Sequence, residues 1–222
     1  MTRRGVILDI DGTLVDSNTA HAESWVETLA HHGYDVSVAR MKSLIGMGGD
    51  KLLPAAIGVA DDSELGKRLS EERSRLFLRA YLPQLRAFPG GRELTERLRR
   101  DGYTLVVASS AGQDHLERLI EIAGIADQLD DITSADDAAR SKPDPDIVFA
   151  ALKRGRLRPD EAIMLGDTPY DVESARRAGV GMVGVRSGGW SDAELSGALA
   201  VYDDVAELLR RYEESLFRRA NS

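Results

Sequence analysis

Two carboxylates stand at the end of a short apolar run near the N-terminus, in the segment GVILDIDGTLVDS of residues 5–17. The run is rich in β-branched residues, which is typical of a strand buried on both faces at the centre of a parallel sheet. Asp9 and Asp11 are two residues apart, so the pleat of a strand would project both carboxylates toward one side. Ligands of open α/β sheets bind at this end of the strands, and the segment therefore predicts a site there.

Like charges at the end of a buried strand are costly unless a cation or a proton lies between them. A bound Mg²⁺ would explain them, because this hard ion takes oxygen ligands. Gly12 allows a sharp turn after the strand, and Thr13 brings a hydroxyl beside the carboxylates. The same Asp-x-Asp pattern also occurs in solvated loops, but the apolar strand before it favours a site.

Composition limits the partners of the chain. Its 222 residues are enough for one large α/β domain, or for one such domain with a small insertion. With 29 basic and 37 acidic residues the net charge is −8, which argues against non-specific binding to nucleic acid. Cysteine is absent, so disulfides and thiolate metal sites are excluded. Since we recognise neither a signal peptide nor a long apolar stretch, we expect a cytoplasmic protein that does not contact a membrane.

Hydropathy patterns divide the chain into two parts. Residues 15–87 show helical periodicity without a credible strand, and we predict an all-helical cap domain there. From residue 91 onward apolar strands and helices alternate, which predicts a parallel sheet with right-handed crossovers. Residues 1–14 and 88–222 should form this α/β core, a doubly wound, Rossmann-like sheet of order 3-2-1-4-5. A short edge strand near residues 198–201 and one helix over 205–217 should complete the core.

Polar residues also follow later strands of the predicted core. They are Ser109, Ser110, Lys142, Asp167 and Asp171. Taken singly, serines at a strand end and acidic residues at a helix start are usually caps, and a lysine before proline is usually an exposed loop charge. In the predicted strand order, however, the ends of the first, second and fourth strands meet at one crevice. The sequence therefore predicts that these side chains gather around the first pair of carboxylates.

An apolar strand that runs into Asp-x-Asp-Gly-Thr-Leu-Val-Asp-Ser closely resembles the first motif of the haloacid dehalogenase-like superfamily, in its phosphatase and β-phosphoglucomutase-like branch. Ser109, the Lys142-Pro143 pair and the segment Gly166-Asp167-x-x-x-Asp171 resemble the remaining motifs. The resemblance implies a helical cap inserted after the first motif. It also implies a Mg²⁺-dependent phosphohydrolase that acts on a small phosphorylated metabolite through an aspartyl-phosphate intermediate.

The resemblance further implies roles for individual residues. Asp9 would be the nucleophile, and Asp11 would act as acid and then as base. The residues that would hold phosphate oxygens in catalysis are Thr13, Ser109 and Lys142. The implied metal ligands are Asp9, Asp11, Asp167 and Asp171, the last of them directly or through water. The implied substrate-binding residues are Ser109, Ser110, Lys142, Gly46 and Lys51.

Lys51 follows a glycine-rich turn in the predicted cap, at residues 46–49. In the resembled family this segment lies over the leaving group of the substrate. Lys51 then has three interpretations: a handle for an anionic or hydroxylated substrate, an imine-forming amine, or a solvated charge, which is the common case for lysine.

Three alternative functions remain open from the sequence. A phosphomutase of the β-phosphoglucomutase type would share every catalytic residue. A phosphonate hydrolase is suggested by a loose resemblance over residues 47–51, although that family has a small apolar residue where Asp11 stands here. A binding module without catalysis is disfavoured because every catalytic position is filled. The sequence determines neither the substrate nor the oligomeric state, and we expect a monomer or a small homo-oligomer.

Two other patterns carry no chemistry in this interpretation. The four histidines show no metal-binding spacing, and we interpret them as surface or packing residues: His21, His31, His32 and His115. The glycines of residues 179–184 satisfy Gly-x-Gly-x-x-Gly, but they follow a helix and enter a strand, which is the reverse of the dinucleotide-binding context.

Overall fold

A parallel sheet of six strands lies at the centre of the protein, in a computed structural model that describes residues 4–219. The strands are β1 (Gly5–Leu8), β2 (Thr104–Ala108), β3 (Asp131–Thr133), β4 (Ala162–Gly166), β5 (Gly181–Val185) and β6 (Ala200–Tyr202). Their order across the sheet is β3-β2-β1-β4-β5-β6, and all neighbours pair in parallel. The predicted order 3-2-1-4-5 is confirmed, with the edge strand added as β6.

Helices flank this sheet and fill the insertion between β1 and β2. They are α1 (Asn18–His31), α2 (Val38–Lys42), α3 (Gly49–Ile57), α4 (Glu64–Leu76), α5 (Gly91–Arg100), α6 (Gln113–Ala123), α7 (Asp146–Arg154), α8 (Pro169–Arg177), α9 (Val205–Arg210) and α10 (Leu216–Arg219). Over residues 4–219, no helix is both long and apolar enough to cross a membrane.

The central strand β1 is buried on both faces, as its apolar composition predicts. Val6 and Leu8 pack on one face within the same apolar cluster as α5 and α6. Ile7 points to the other face, where α7 and α8 supply the neighbouring apolar side chains. This alternation follows from the period-two pleat of a strand. Because both faces are covered, the open positions of β1 lie at its carboxyl end.

Helices α1 to α4 form the inserted helical region, and they have an apolar cluster of their own. Its buried members are Ala22, Trp25, Leu29, Met41, Leu44, Ile45, Leu52, Leu53 and Leu69. The chain enters and leaves this region side by side, since Val15 and Ala87 form an antiparallel bridge. The amide of Asp16 also donates to the carbonyl oxygen of Arg86 at 3.0 Å. The division at residues 15 and 87 stays a prediction, and this paired connection supports it.

The predicted single helix over residues 205–217 is wrong. The structure has α9, then a 3-10 turn at Tyr212–Glu214, then α10. In one continuous helix, residues five apart point about 140° away from each other. Tyr212 and Phe217 are nevertheless both buried in the same apolar cluster. The break lets both rings face that cluster, and the Tyr103 hydroxyl donates to the carbonyl oxygen of Phe217 at 2.5 Å.

Candidate active site

The carboxyl ends of β1, β2 and β4 bring the predicted site residues together. The pairing register aligns the last residue of β1 with Val107 of β2 and Leu165 of β4. Consequently Asp9, Ser109 and Asp167 follow three adjacent strands, and all three side chains are buried. The amide of Asp9 donates to the carbonyl oxygen of Leu165 at 2.9 Å, which holds the chain in place as it leaves the sheet.

Three carboxylates form a compact buried group at this point. One oxygen from each of Asp9, Asp167 and Asp171 lies within 4.8 Å of the other two. The hydroxyl of Thr13 lies 3.0 Å from Asp9 Oδ2 and 3.2 Å from Asp167 Oδ1, so it links two of them. Asp171 is held in the first turn of α8, where its Oδ2 accepts hydrogen bonds from the amide and hydroxyl of Thr168.

Lys142 is the buried cation of this group. Its Nζ lies 2.6 Å from Asp9 Oδ1 and 2.7 Å from Asp171 Oδ1, and it donates to the carbonyl oxygen of Ala108 at 3.0 Å. Burial alone would lower the pKa of Lys142, but Asp171 and Asp9 outweigh it and raise that pKa above its usual value. The lysine is therefore charged, and it bridges β2, the turn after β1 and α8.

One ammonium does not neutralise three carboxylates. Burial raises the pKa of Asp9 to about 7, an effect that Lys142 partly offsets and Asp171 increases. Burial, with the neighbouring Asp9 and Asp171, also raises the pKa of Asp167 well above its usual value. The group therefore retains protons toward neutral pH, and a bound cation could take their place.

A divalent cation with oxygen ligands fits this group. If all three carboxyl groups are ionised, the single ammonium leaves two negative charges that a divalent cation would balance. Asn18, whose amide donates to Asp167 Oδ2 at 2.8 Å, has a buried Oδ1 without a hydrogen-bond partner among residues 4–219. Carboxylate and amide oxygens are the ligands of hard cations. Asp11, the fourth predicted ligand, lies outside this group, and its place among the ligands stays a prediction.

Asp11 is directed toward α1 instead. The Ser17 hydroxyl donates to Asp11 Oδ1 at 2.5 Å, and His21 Nε2 lies 2.7 Å from the same oxygen. The pleat does not align Asp11 with Asp9 in one cluster, because β1 ends at Leu8 and the chain turns before Asp11. Burial would raise the pKa of Asp11, but His21 and Ser17 outweigh it and hold that pKa below its usual value.

His21 is a site residue that the sequence interpretation missed. It is 7% exposed, and a terminal nitrogen of Arg73 donates to its Nδ1. Arginine has donors only, so Nδ1 accepts and the proton of a neutral imidazole sits on Nε2, where it faces Asp11. The available signal was spacing: Ser17 and His21 are four residues apart at the start of the helix that follows the motif, so they share one face.

The other histidines divide between the cavity and the surface. His115 lies in a part of α6 that faces α4, and its Nε2 is 2.8 Å from the Ser74 hydroxyl. Burial lowers the pKa of His115 to about 4, with Arg73 adding to the effect, so its imidazole is neutral at neutral pH. His31 is exposed and His32 pairs with Glu72 at 2.6 Å, as the surface interpretation expects.

A cavity of about 480 Å³ opens over the buried carboxylates. Its walls come from both parts of the chain and include Asp9, Asp11, Ser109, Ser110, Gly46 and Arg73. Ser110 donates to the carbonyl oxygen of Gly46 at 3.2 Å, a direct hydrogen bond between core and helical region. The cavity therefore places the buried carboxylates in reach of a small molecule.

Lys51 is absent from the lining of this cavity among the described residues. Its Nζ lies 2.5 Å from Asp144 Oδ2 and donates to the carbonyl oxygen of Ser141 at 2.9 Å. Both partners flank the segment that carries Lys142. Lys51 thus connects the helical region to the loop that carries Lys142.

Gly12 is required by the close approach of the chain to Asp167. Its φ is +74°, and an added Cβ would lie 2.2 Å from Asp167 Oδ2. We expect Gly12→Ala to lower the free energy of unfolding by about 3 kcal/mol or more and to reduce activity. Gly33→Ala is the matched control, because Gly33 has φ +80° with no atom within 4 Å of an added Cβ.

Urea unfolding of both variants separates the two effects. Gly33→Ala should lose only about 1 kcal/mol, the cost of the backbone conformation alone. An equal loss of unfolding free energy in the two variants would show that the contact with Asp167 does not contribute to the effect of Gly12→Ala.

A parallel α/β sheet with an inserted helical region and buried carboxylates at the switch point is typical of α/β proteins that bind small molecules at the carboxyl ends of their strands. The sequence matches the haloacid dehalogenase-like hydrolase family over residues 6–185, and the chain belongs to that family. The predicted membership in the phosphatase and β-phosphoglucomutase-like branch, with a helical cap, is confirmed.

Several relatives align over nearly the whole chain. A phosphoglycolate phosphatase of Rhodospirillum rubrum is 35% identical, and the match covers 92% of this chain and 89% of that protein. A validoxylamine A 7'-phosphate phosphatase of Streptomyces hygroscopicus is 32% identical, with 91% and 94% covered. A hydrolase from Pseudomonas syringae superposes with a TM-score of 0.88 at 33% identity, covering 96% of this chain and 99% of that one. A β-phosphoglucomutase from Clostridium difficile shares the fold, with a TM-score of 0.84 at 21% identity and 98% of each chain covered.

Proposed function

We propose that this protein is a Mg²⁺-dependent phosphatase that hydrolyses a small phosphomonoester through a phosphorylated Asp9. The observation that carries the proposal is the contact of 2.6 Å between the buried Lys142 and Asp9, the latter of which lines the cavity. A carboxylate fixed beside a cation in this way can attack phosphorus while the cation attracts the phosphate oxygens.

Asp9 would act in the first half of the reaction. One of its oxygens attacks phosphorus, and the ester oxygen of the substrate leaves with a proton from Asp11. In the second half Asp11 removes a proton from water, which attacks the phosphoryl group on Asp9. The geometry favours this base form, because Ser17 and His21 both donate to Asp11 Oδ1.

Lys142, Thr13 and Ser109 would hold the phosphoryl oxygens. Lys142 and Thr13 lie within hydrogen-bond distance of Asp9, and Ser109 ends the neighbouring strand beside it. The main-chain amide of Ala111 donates to the Ser109 oxygen at 3.1 Å, which fixes the serine with its proton free for another acceptor. Ser110 and Gly46 line the same cavity and would contact the remainder of the substrate.

Asp9, Asp167 and Asp171 would hold Mg²⁺, with Asn18 beside them. The ion would supply positive charge that offsets the negative charge of the carboxylates and the phosphate. The Lys142 ammonium already pairs with Asp171, so this carboxylate would contribute less to the ion than Asp167, directly or through water.

The printed names of the relatives support phosphatase chemistry and leave the substrate open. One acts on phosphoglycolate and the other on validoxylamine A 7'-phosphate. The test is a panel of phosphorylated metabolites incubated with protein and Mg²⁺, with inorganic phosphate as the readout. Phosphate release supports a phosphatase, and isomerised product without release would indicate a mutase. If neither phosphate nor an isomer forms, the enzymatic proposal is overturned.

Lys51 would contribute to substrate binding indirectly, by holding the helical region on the loop of Lys142. We expect Lys51→Ala to raise KM about 3- to 10-fold for every substrate tested, because a part-buried ion pair of this kind contributes roughly 1 kcal/mol. Lys67→Ala, on an exposed face of α4, is the control. A loss confined to one substrate would instead make Lys51 a direct handle.

The same variant tests the phosphonate alternative. Borohydride added with substrate should leave no covalent adduct on Lys51, since its Nζ lies on Asp144 and away from the cavity. A trapped adduct would assign imine chemistry to this lysine.

A further inference from the structure

Arg73 is a buried cation in the wall that the helical region contributes to the cavity. It projects from α4 and is 9% exposed. Its Nε donates to the Ser24 hydroxyl at 3.1 Å, and one terminal nitrogen donates to His21. The guanidinium lies 4.6 Å from the ring centroid of Phe77 and 5.4 Å from that of Trp25. These contacts fix the group in one position.

The contacts of Arg73 do not neutralise it. Within residues 4–219, no carboxylate lies within ion-pair distance of its guanidinium. Its hydrogen-bond partners are a hydroxyl and a neutral imidazole, with Asp11 on the far side of that ring. Burial lowers the pKa of Arg73 to about 10, and Asp11 only partly offsets this. A buried charge without a paired counter-charge is expensive, so a protein keeps one where a ligand supplies the missing charge.

The surroundings of Arg73 favour an anion at this end of the cavity. Ser74 and His115 line it there, and both are neutral groups that can donate hydrogen bonds. The acidic side chains on the same side of the cavity, Asp114 and Asp136, are exposed at its rim, where water screens them. The inner wall is therefore positive and the catalytic floor is negative.

We propose that Arg73 is the centre of a second anion site, which binds a carboxylate or a further phosphate at the end of the substrate remote from the scissile ester. The proposal rests on the proposed phosphatase function and specifies its substrate class: a short phosphomonoester with a second anionic group. The planar guanidinium can pair with two oxygens of such a group, and stacking on Phe77 fixes the orientation of the guanidinium. Only the imidazole ring of His21 separates Arg73 from Asp11. A substrate that reaches both residues would therefore have only a few covalent bonds between its ester and its second anionic group.

A pair of esters that differ only in the remote charge tests the proposal. Phosphoglycolate has a carboxylate where 2-hydroxyethyl phosphate has a neutral hydroxymethyl group. We expect kcat/KM to be about 10- to 100-fold higher for phosphoglycolate, the range of a charge-assisted hydrogen bond. A bisphosphate of similar length, compared with its monophosphate, shows whether a second phosphate is accepted in place of the carboxylate.

Variants connect this preference to Arg73. Arg73→Gln should reduce the ratio of kcat/KM for the two esters to about threefold or less. Arg73→Lys keeps the charge but lacks the paired N–H donors of the guanidinium, and it should retain part of this preference. Arg75→Gln is the matched control, because Arg75 is exposed on the same helix. Equal rates for the two esters in the wild type, or an equal fall for both in Arg73→Gln, would overturn the anion site and leave Arg73 a packing residue.

A readout without turnover separates this proposal from the proposed function. Phosphonoacetate has a remote carboxylate where ethylphosphonate has a neutral methyl group, and neither contains an ester to hydrolyse. We expect phosphonoacetate to raise the Tm of the wild type more than ethylphosphonate does, and this difference to vanish in Arg73→Gln. If the Tm difference is found but no ester is hydrolysed, the anion site is supported and the phosphatase function is rejected. If both esters are hydrolysed at equal rates, the phosphatase function is supported and the anion site is rejected.

Discussion

We expect Asp9→Asn to abolish phosphate release while leaving the fold intact. An amide is a far weaker nucleophile than a carboxylate, and the loss should be roughly 10⁴-fold or more, the scale seen when a nucleophile is removed. The side chain keeps its size in the buried group next to Lys142 and Thr13. Steady-state kinetics with the best substrate and circular dichroism of the variant check the two halves of this prediction.

The stability of the same variant has an expected sign. The buried group has more carboxylates than cations, and the substitution would remove one carboxylate without changing the packing. The Tm of metal-free Asp9→Asn at pH 8 should therefore not fall below that of the wild type. Asp16→Asn is the matched control, because Asp16 is exposed in the same motif and should keep full activity.

Rapid acid quench of the wild type completes this test. Mass spectrometry should find one added phosphoryl group on the peptide that contains Asp9, and none in Asp9→Asn. Turnover of the variant near the wild-type rate, or a phosphoryl group on another residue, would remove Asp9 from the nucleophile role.

The sheet and the meeting of Asp9, Ser109 and Asp167 could be predicted from the sequence because their signals are local, whereas the direction of Asp11 could not. The run before Asp9 has the composition of a doubly buried strand, and Ser109 and Asp167 each follow a similar run. Strand order then needs only the doubly wound rule, which brings the three strand ends together.

The wall opposite the catalytic group could not be predicted in the same way. Arg73 lies in a helix with the sequence ELGKRLSEERSRL, where it is one of several basic residues and periodicity does not distinguish it. Its burial depends on the packing of α1 against α4, which brings in Ser24 and His21 from 49 and 52 residues away. Lys51 is similar, because its partner Asp144 is 93 residues distant. Contacts of this range depend on tertiary packing and leave no local pattern.

We expect Mg²⁺ to stabilise the metal-free protein more at pH 8 than at pH 5. An aspartate in the unfolded chain titrates near 3.8, whereas the pKa of folded Asp9 is about 7. Between these values the native state holds a proton that the unfolded chain has lost, so this group lowers stability as the pH rises through that window. Asp167, whose pKa is also raised, acts in the same direction. Mg²⁺ can take the place of these protons.

The expected size of this effect follows from mass action. At a Mg²⁺ concentration of 100 times Kd, binding to the native state alone adds about 2.7 kcal/mol to the free energy of unfolding. For a chain of this length that is a rise in Tm of roughly 5 to 10 °C. Differential scanning fluorimetry at both pH values, with and without Mg²⁺ and after treatment with a chelator, measures it directly.

Variants of the two remaining carboxylates then rank the ligands. Asp167→Asn should lose most of the Mg²⁺-induced rise in Tm at pH 8, because Asp167 contributes an oxygen directly to the proposed metal site. Asp171→Asn should lose less of it, since the Lys142 ammonium already pairs with the Asp171 carboxylate, whereas no cation among residues 4–219 lies within ion-pair distance of Asp167. Exposed Asp62→Asn is the control and should respond like the wild type. Equal losses of the Mg²⁺-induced rise in Tm in the two variants would contradict this ranking. A wild-type Tm that does not change with Mg²⁺ at pH 8 would contradict the metal site itself.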